Sequence, residues 1–558
     1  MKCLAKDPAA RPQSADEIVA ALDTIRPALE TAGTPLRRTT GRWKPAAVLA
    51  GILTFIAIGA AVTFAVRGSR RGVGARDGAT SAPAAMRQLA VIPFENTDGN
   101  PANEYFSDGL TDELAHALAS LPGLHIAGRT SSYAFKHKAV SAQEIGRSLD
   151  VGGIITGAVR RADDRLRVTT QLVSTADGKV VLDSVFESRS GDVFRVQDEL
   201  THAIIAALSS ALGGHPAPTS ASTRGTTDAE AYNLYLKGRY YWLERGTENV
   251  KRSIALFKQA IARDSNFARA YAALAAGYNV LSIYVADPTD SATALTEASA
   301  KRAMALDSTL ADSRIALASA DAMRLRFDEA AASYRKAIAM EPSNMNAHHA
   351  FGAELAFTGH TDEAIAEVRR ATQLDPLAKS AGTALAMAFI NARRFPDAVA
   401  ETRRVLAIDS TFSLGLQVLG YVQVFTGQPD SAVGTLERQL QLHPEKGGNY
   451  ALLVLSYAAA GRWADAARVR EQLHRPGGDP SGGVEAAFAD LVFGDRDPAV
   501  RVLQTDVGKR NWMTSLYGFG CSPLIDPLWS DARFRATMHE LKIEPCPLAR
   551  PWPIPPRR

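Results

Sequence analysis

Cysteine is nearly missing from this chain. There are three in 558 residues, at Cys3, Cys521 and Cys546, too few to staple a domain of this size. Cys521 and Cys546 would pair in oxidising surroundings, and two unlinked buried thiols fit the same residues equally well. No CxxC, HExxH or GxxxxGKS/T occurs, which removes the spacings that hold structural zinc, a zinc-peptidase centre or a phosphate loop. No metal or other cofactor is therefore expected. An excess of one charge is also missing: 63 Lys plus Arg stand against 59 Asp plus Glu, a net charge of +4. Without a basic block to neutralise a phosphate backbone, no nucleic-acid partner is expected. Long hydrophobic runs are missing too, with one exception.

That exception is 46–66, an uncharged run carrying Val48, Leu49, Ile52, Leu53, Phe55, Ile56, Ile58, Val62 and Phe64. At ~1.5 Å per residue it is long enough for a hydrocarbon core of about 30 Å. Trp43 and Lys44 on one side and Arg67, Arg70 and Arg71 on the other match interfacial anchors. A single transmembrane helix is the expectation. Ala47, Gly51, Gly59 and Thr63 form a small-residue face that would let two copies pair as a homodimer. Arg37, Arg38, Arg42 and Lys44 balance Arg67, Arg70, Arg71 and Arg76, so charge does not orient the helix.

Before this run, Ser14 and Glu17 make a capping box, and Ile18, Leu22 and Ile25 recur at helical spacing. The string Cys3-Leu4-Ala5-Lys6-Asp7-Pro8 through Arg11-Pro12 resembles the end of the C-lobe of bacterial Ser/Thr protein kinases of the PknB type. The resemblance implies a structural role for Arg11, paired in those kinases with a glutamate of an Ala-Pro-Glu motif. That motif, the Gly-rich loop, the catalytic loop and Asp-Phe-Gly are all absent, so phosphoryl transfer is excluded and no enzyme is expected. Because such kinases keep their catalytic end in the cytosol, the resemblance implies a bacterial cytoplasmic membrane location. It puts a short N-terminus inside and the C-terminal domains outside.

From Gln88 to Leu212 strand and helix patterns mix. Leu89-Ala90-Val91-Ile92-Pro93-Phe94 is a buried strand, and Leu110, Leu114, Leu118 and Leu121 share a helix face. Three strands follow as a meander, Val151 to Arg161, Arg165 to Ser174 and Lys179 to Glu187. Leu166, Val168, Thr170 and Leu172 alternate with polar residues as on a half-buried strand. A helix over Asp192 to Leu212 closes the segment. Asp108, Asp112, Glu113 and His116 could hold a metal, but acids there more simply complement a helix N-terminus. Gly152, Gly153 and Gly157 lie within a strand and not at a helix N-terminus, so they do not make a nucleotide loop. The opening strand, Phe106-Ser107-Asp108-Gly109-Leu110-Thr111-Asp112-Glu113-Leu114 and Asp150-Val151-Gly152-Gly153-Ile154-Ile155-Thr156-Gly157 together resemble the TolB-like N-terminal domain. This implies a binding or sensing module.

Helix breaks then recur every 34 residues, at Asp307-Ser308, Glu341-Pro342, Asp375-Pro376, Asp409-Ser410 and His443-Pro444. Ala330, Ala364, Ala398, Ala432 and Ala466 keep the same step. A 34-residue period with a small residue where two helices touch is the pattern of tetratricopeptide (TPR) repeats. About seven repeats are expected, the first two longer and less regular, with an insertion near Ala286-Asp287-Pro288-Thr289. The resemblance implies a groove for a protein or peptide ligand, built by the first helix of each pair. Family registration puts Asn346, His349, Thr383 and Met387 on it. His348 diverges from His349 around its helix, so a joint metal site is not expected.

The expected fold is multidomain, with a single transmembrane helix, an α/β TolB-like domain and an all-α TPR superhelix. Its parts are a kinase remnant at 1–26, a linker at 27–45, the membrane helix at 46–66 and a juxtamembrane linker at 67–87. The α/β domain follows at 88–212, a linker at 213–228, TPR repeats at 229–475, and a degenerate repeat, cap and Pro-rich tail at 476–558. The expected function is a membrane-anchored, protein-binding sensor or scaffold. The alternatives are the sensory half of a transmembrane Ser/Thr kinase whose catalytic domain is absent from this chain, and a scaffold whose solenoid lies in the cytosol.

Overall fold

The computed structural model describes residues 86–543, apart from 120, 122, 163–164, 190–192, 213–224, 285–289, 444–449, 480–482 and 509–520. These fall within one compact unit, Thr80–Arg558. The kinase-like stretch with Arg11, the run 46–66 and the Pro-rich tail from Pro545 lie outside the described residues.

The first part is a sheet with helices on both faces. In chain order it has β1 (Gln88–Val91), β2 (Glu95–Asn96), α1 (Glu104–Ala119), β3 (His125–Ile126), α2 (Arg129–Tyr133) and α3 (Ala142–Leu149). Then come β4 (Gly153–Ala162), β5 (Arg165–Ser174), β6 (Val180–Arg189) and α4 (Val193–Leu212). The strand order is β3-β1-β4-β5-β6, with β2 also on β4. β1 pairs in parallel with β3 and β4, while β4–β5–β6 is an antiparallel meander.

Local chemistry accounts for these elements. Ser141 Oγ accepts from Glu144 N, and Asp150 ends α3 in the left-handed region at φ 54°, a helix opened by a polar cap and closed by an αL residue. Along β5, Leu166, Val168, Thr170 and Leu172 are buried and Arg165 and Arg167 exposed, the period-2 alternation of a strand with one core face. Gly157 sits where β5 passes closest: a Cβ there would lie 2.1 Å from Thr169 O. That contact, and not phosphate binding, explains the glycine.

Residues 229–473 form seven antiparallel helix pairs. They are α5/α6 (Ala229–Glu244, Thr247–Arg263), α7/α8 (Ala268–Tyr284, Asp290–Leu306), α9/α10 (Ala311–Met323, Phe327–Met340) and α11/α12 (Met345–Thr358, Thr361–Leu374). α13/α14 (Lys379–Asn391, Phe395–Ile408), α15/α16 (Ser413–Phe425, Pro429–Leu442) and α17/α18 (Tyr450–Ala459, Trp463–Leu473) continue the series. Ala330, Ala364, Ala398, Ala432 and Ala466 are each fully buried. Only a methyl fits where the second helix meets the first, so the period in sequence is a period in packing. α19 (Val484–Val492) and α20 (Asp497–Gly508) add a further pair, and a 3₁₀ turn at Pro523–Ser530 leads into α21 (Ala532–Glu540).

Two expectations are corrected. The described chain is a mostly helical TPR-like superhelix, 69% helical, and the single transmembrane helix is not part of that fold. Among the described residues no helix is long and apolar enough to cross a membrane. The longest, α4, has 20 residues but carries Arg195, Asp198 and Glu199, charges that a hydrocarbon core excludes. The membrane location, with C-terminal domains outside the cytoplasm, falls with that helix. Neither the membrane as a partner nor the homodimer paired through it has support among the described residues.

Candidate functional site

The four groove residues separate once their surroundings are known. Asn346 and His349 lie one turn apart on α11; Asn346 is exposed and His349 half-buried. Burial pushes the His349 imidazole below its ordinary value, and the Arg245 guanidinium, from the end of α5, acts in the same direction. His348 points elsewhere, its Nδ1 2.5 Å from Glu367 Oε2 and its Nε2 3.1 Å from Pro342 O. On α13, Thr383 is buried, and its hydroxyl donates to Lys379 O and Ser380 O of its own helix at 3.0 and 2.9 Å. Met387 is half-buried against the main repeat core. Asn346 is therefore exposed, His349 and Met387 are half-buried, and Thr383 is committed to packing.

The position of Met387 recurs 34 residues later at Tyr421, and there the chain's own C-terminal segment is seated. Tyr421 Oη lies 2.7 Å from Ser522 Oγ and accepts from Leu524 N at 3.1 Å. Arg393, in the turn after α13, donates to Cys521 O and to Asp526 Oδ1, both at 2.6 Å. Both side chains of that ion pair are almost fully buried. Cys521 is disulfide-bonded, and its partner lies outside the described residues. The Pro523–Asp526 string reads in sequence as a cap. That Tyr421 and Arg393 hold it is not legible there, because the period says where both residues stand but not what a segment more than 100 residues away brings to them.

The sheet part is also fastened to the repeats. Arg269 on α7 grips Glu113 on α1 through two bonds of 2.7 and 2.6 Å, fully enclosed. Burial works to raise the Glu113 carboxyl, and the guanidinium reverses it to a net lowering. Asp375, in the loop before α13, accepts from Thr130 N, Ser131 N and Ser131 Oγ at 2.9, 2.9 and 2.6 Å. The acids considered for a metal thus have basic partners: Glu113 has Arg269, Asp112 has Arg129 at 3.0 Å, and Asp108 has Lys136 at 2.6 Å.

No family model matches the chain, so neither a TolB-like domain nor a kinase remnant is shown. A stretch of 190 residues is 32% identical to the putative adenylate cyclase 3 of Rhizobium meliloti (strain 1021), covering 34% of this chain and 32% of that protein. The chain thus spans about a third of that relative's length. Among solved structures it is similar to YrrB, a TPR protein with an unusual peptide-binding site, at 18% identity and a TM-score of 0.26, over 34% of this chain and 93% of that one. Similarity to yeast Tom70 is 14% with a TM-score of 0.35, over 60% of this chain and 69% of the other. At scores this low these likenesses carry no argument, and the TPR-like fold rests on the repeat period and its packing.

Proposed function

We propose that this chain is a TPR-type protein-binding scaffold, not an enzyme, that holds an extended peptide along the stretch of groove lined by Asn346, His349 and Met387. The observation that carries the reading is the contact of Tyr421 with Leu524. A position equivalent to Met387 takes a backbone N–H left open at the start of the 3₁₀ turn Pro523–Ser530, the way such a surface would hold a partner's backbone. The segment also meets Arg393 in the turn after α13, while Asn346 on α11 stays exposed. No cyclase activity is carried over from a relative of which only a third is shared.

The test is a peptide array probed with the full-length chain, followed by affinities of the selected peptides for Asn346→Ala, His349→Ala and Met387→Ala. Groove contacts of this kind carry ~1–2 kcal/mol each, so selected peptides should bind each variant about 5- to 30-fold more weakly. Peptides that bind all three variants as tightly as the parent would place the ligand elsewhere and end this reading.

A further inference from the structure

A cavity of about 130 Å³ opens at the carboxyl ends of β1 and β3. The chain leaves β1 through α1 to reach β3, then returns past β1 through α3 to reach β4. α1 packs with Leu89 and Val91 on one face, and α3 with Ala90 and Ile92 on the other. Two successive helices on opposite faces leave a crevice outside the strand ends, the place where open α/β sheets bind ligands.

The polar groups of this cavity are unequally satisfied. Asp112 accepts from Arg129 Nε and from Tyr133 Oη, each at 3.0 Å. Thr111 Oγ1 donates to Ser107 O at 2.8 Å and accepts from Phe94 N at 2.9 Å. Ser132, however, is 2% exposed and its hydroxyl has no hydrogen-bond partner among the described residues. Arg239 has one hydrogen bond among them, a long one of 3.4 Å to Tyr235 Oη. Native proteins rarely leave buried polar groups unpaired without a ligand or water to meet them.

Charge points the same way. Among the lining residues Arg129 and Arg239 stand against Asp112 alone, and against the cost of burial Asp112, Asp312 and Glu113 help to keep Arg239 charged. The lining therefore carries one guanidinium in excess, beside a free hydroxyl. Val91, Ala115 and Ala127 supply the apolar remainder. The volume exceeds that of a few waters at ~30 Å³ each but falls below the roughly 300 Å³ at which pockets for drug-sized ligands begin. A nucleotide is too large.

We infer that this cavity binds a short-chain monocarboxylate, its carboxylate on Arg239 and Ser132 Oγ and its alkyl end against Ala115, Ala127 and Val91. The site is independent of the peptide groove and stands whether or not that reading does. Calorimetric titration of the full-length chain with propionate, at fixed ionic strength, should give saturable one-to-one binding. Arg239→Met should weaken it more than tenfold, and Ser132→Ala several-fold. The hydroxyl of Ser132 has no partner to lose, so Ser132→Ala folds and decides the matter even where Arg239→Met does not. Unchanged affinity in Ser132→Ala overturns the assignment. So does binding of inorganic phosphate with none of propionate, which would make the site one for a tetrahedral anion, and so does an equal response to chloride.

Discussion

Glu485 shows how much a single residue here depends on burial. It is 4% exposed on α19 and accepts from Ala451 N at 2.7 Å. Burial raises its carboxyl from the ordinary 4.5 to about 8, and Asp479 adds to the effect. The folded chain therefore keeps a proton at neutral pH that the unfolded chain releases. Its contribution to stability is full below the ordinary carboxylate range and is lost as pH rises towards 8. Glu354 on α11, also raised to about 8 by burial and by Asp321, has the same sign. Glu485→Gln keeps the acceptor for Ala451 N and removes the titration. We expect urea midpoints of parent and variant to agree near pH 4 and to diverge up to pH 8. The variant should end more stable by roughly 2–4 kcal/mol, since keeping a carboxyl protonated costs ~1.4 kcal/mol for each pH unit above its ordinary range. Parallel curves across that range would show that the carboxyl is already ionised in the folded chain.

At the scale of elements, one loop adds a second fastening between the sheet part and the repeats, beside the Arg269–Glu113 pair. Asp307 and Asp409 each close their own turn, with Oδ1 accepting from N and Oγ1 of Thr309 and Thr411 respectively. Asp375 stands at the same place in the period, but Leu377 replaces the threonine, and its carboxylate goes instead to the first turn of α2. A Cβ on Gly128 would come within 2.2 Å of the Asp375 side chain, so the two segments meet as closely as a glycine allows. Asp375→Ala removes three hydrogen bonds to a carboxylate, and we expect it to cost about 2–3 kcal/mol. Amide exchange in 129–133 should accelerate and that in α13 stay slow; an unchanged α2 would mean that the loop only touches it. The period made the helix pairs legible because the same alanine and the same break return at a constant step. The alternation in Leu166 to Leu172 made β5 legible for the same reason. Leu377 departs from that period in plain sight, yet its consequence was hidden, because the group it frees binds 244 positions away. Groove registration likewise placed Thr383 on a face without revealing that its hydroxyl is spent on its own helix.

Over the whole molecule the apolar core does not follow the boundary between sheet and repeats. One cluster runs from Leu89 and Val91 through α1 and α4 into Tyr232, Tyr235, Phe257 and Phe267 of the first two helix pairs. A second begins at Ala318 and continues through the later pairs to Phe534, Met538 and Ile543. Between them lies a small cluster of Ala275, Ala300 and Ala316, on α7, α8 and α9. Methyl groups bury little area, so at ~25 cal/mol per Å² the apolar part of the coupling across α8 is small beside that inside either cluster, and the partly exposed ion pairs of Glu297 with Arg324 and Arg326 add little to it. In a stacked array cooperativity passes only through neighbouring interfaces, so a weak interface marks where unfolding divides. We expect two transitions in urea, one joining the sheet to α5–α7 and one joining α9 to α21, with the Asp375 loop as their bridge. Hydrogen exchange followed through the titration reports both at once: peptides from β4 and from α6 should lose protection together, apart from those of α15 and α17. Asp375→Ala should widen the gap between the two midpoints. A single midpoint for all four segments, unmoved in its cooperativity by Asp375→Ala, would show instead that α8 transmits folding as well as any other helix in the stack.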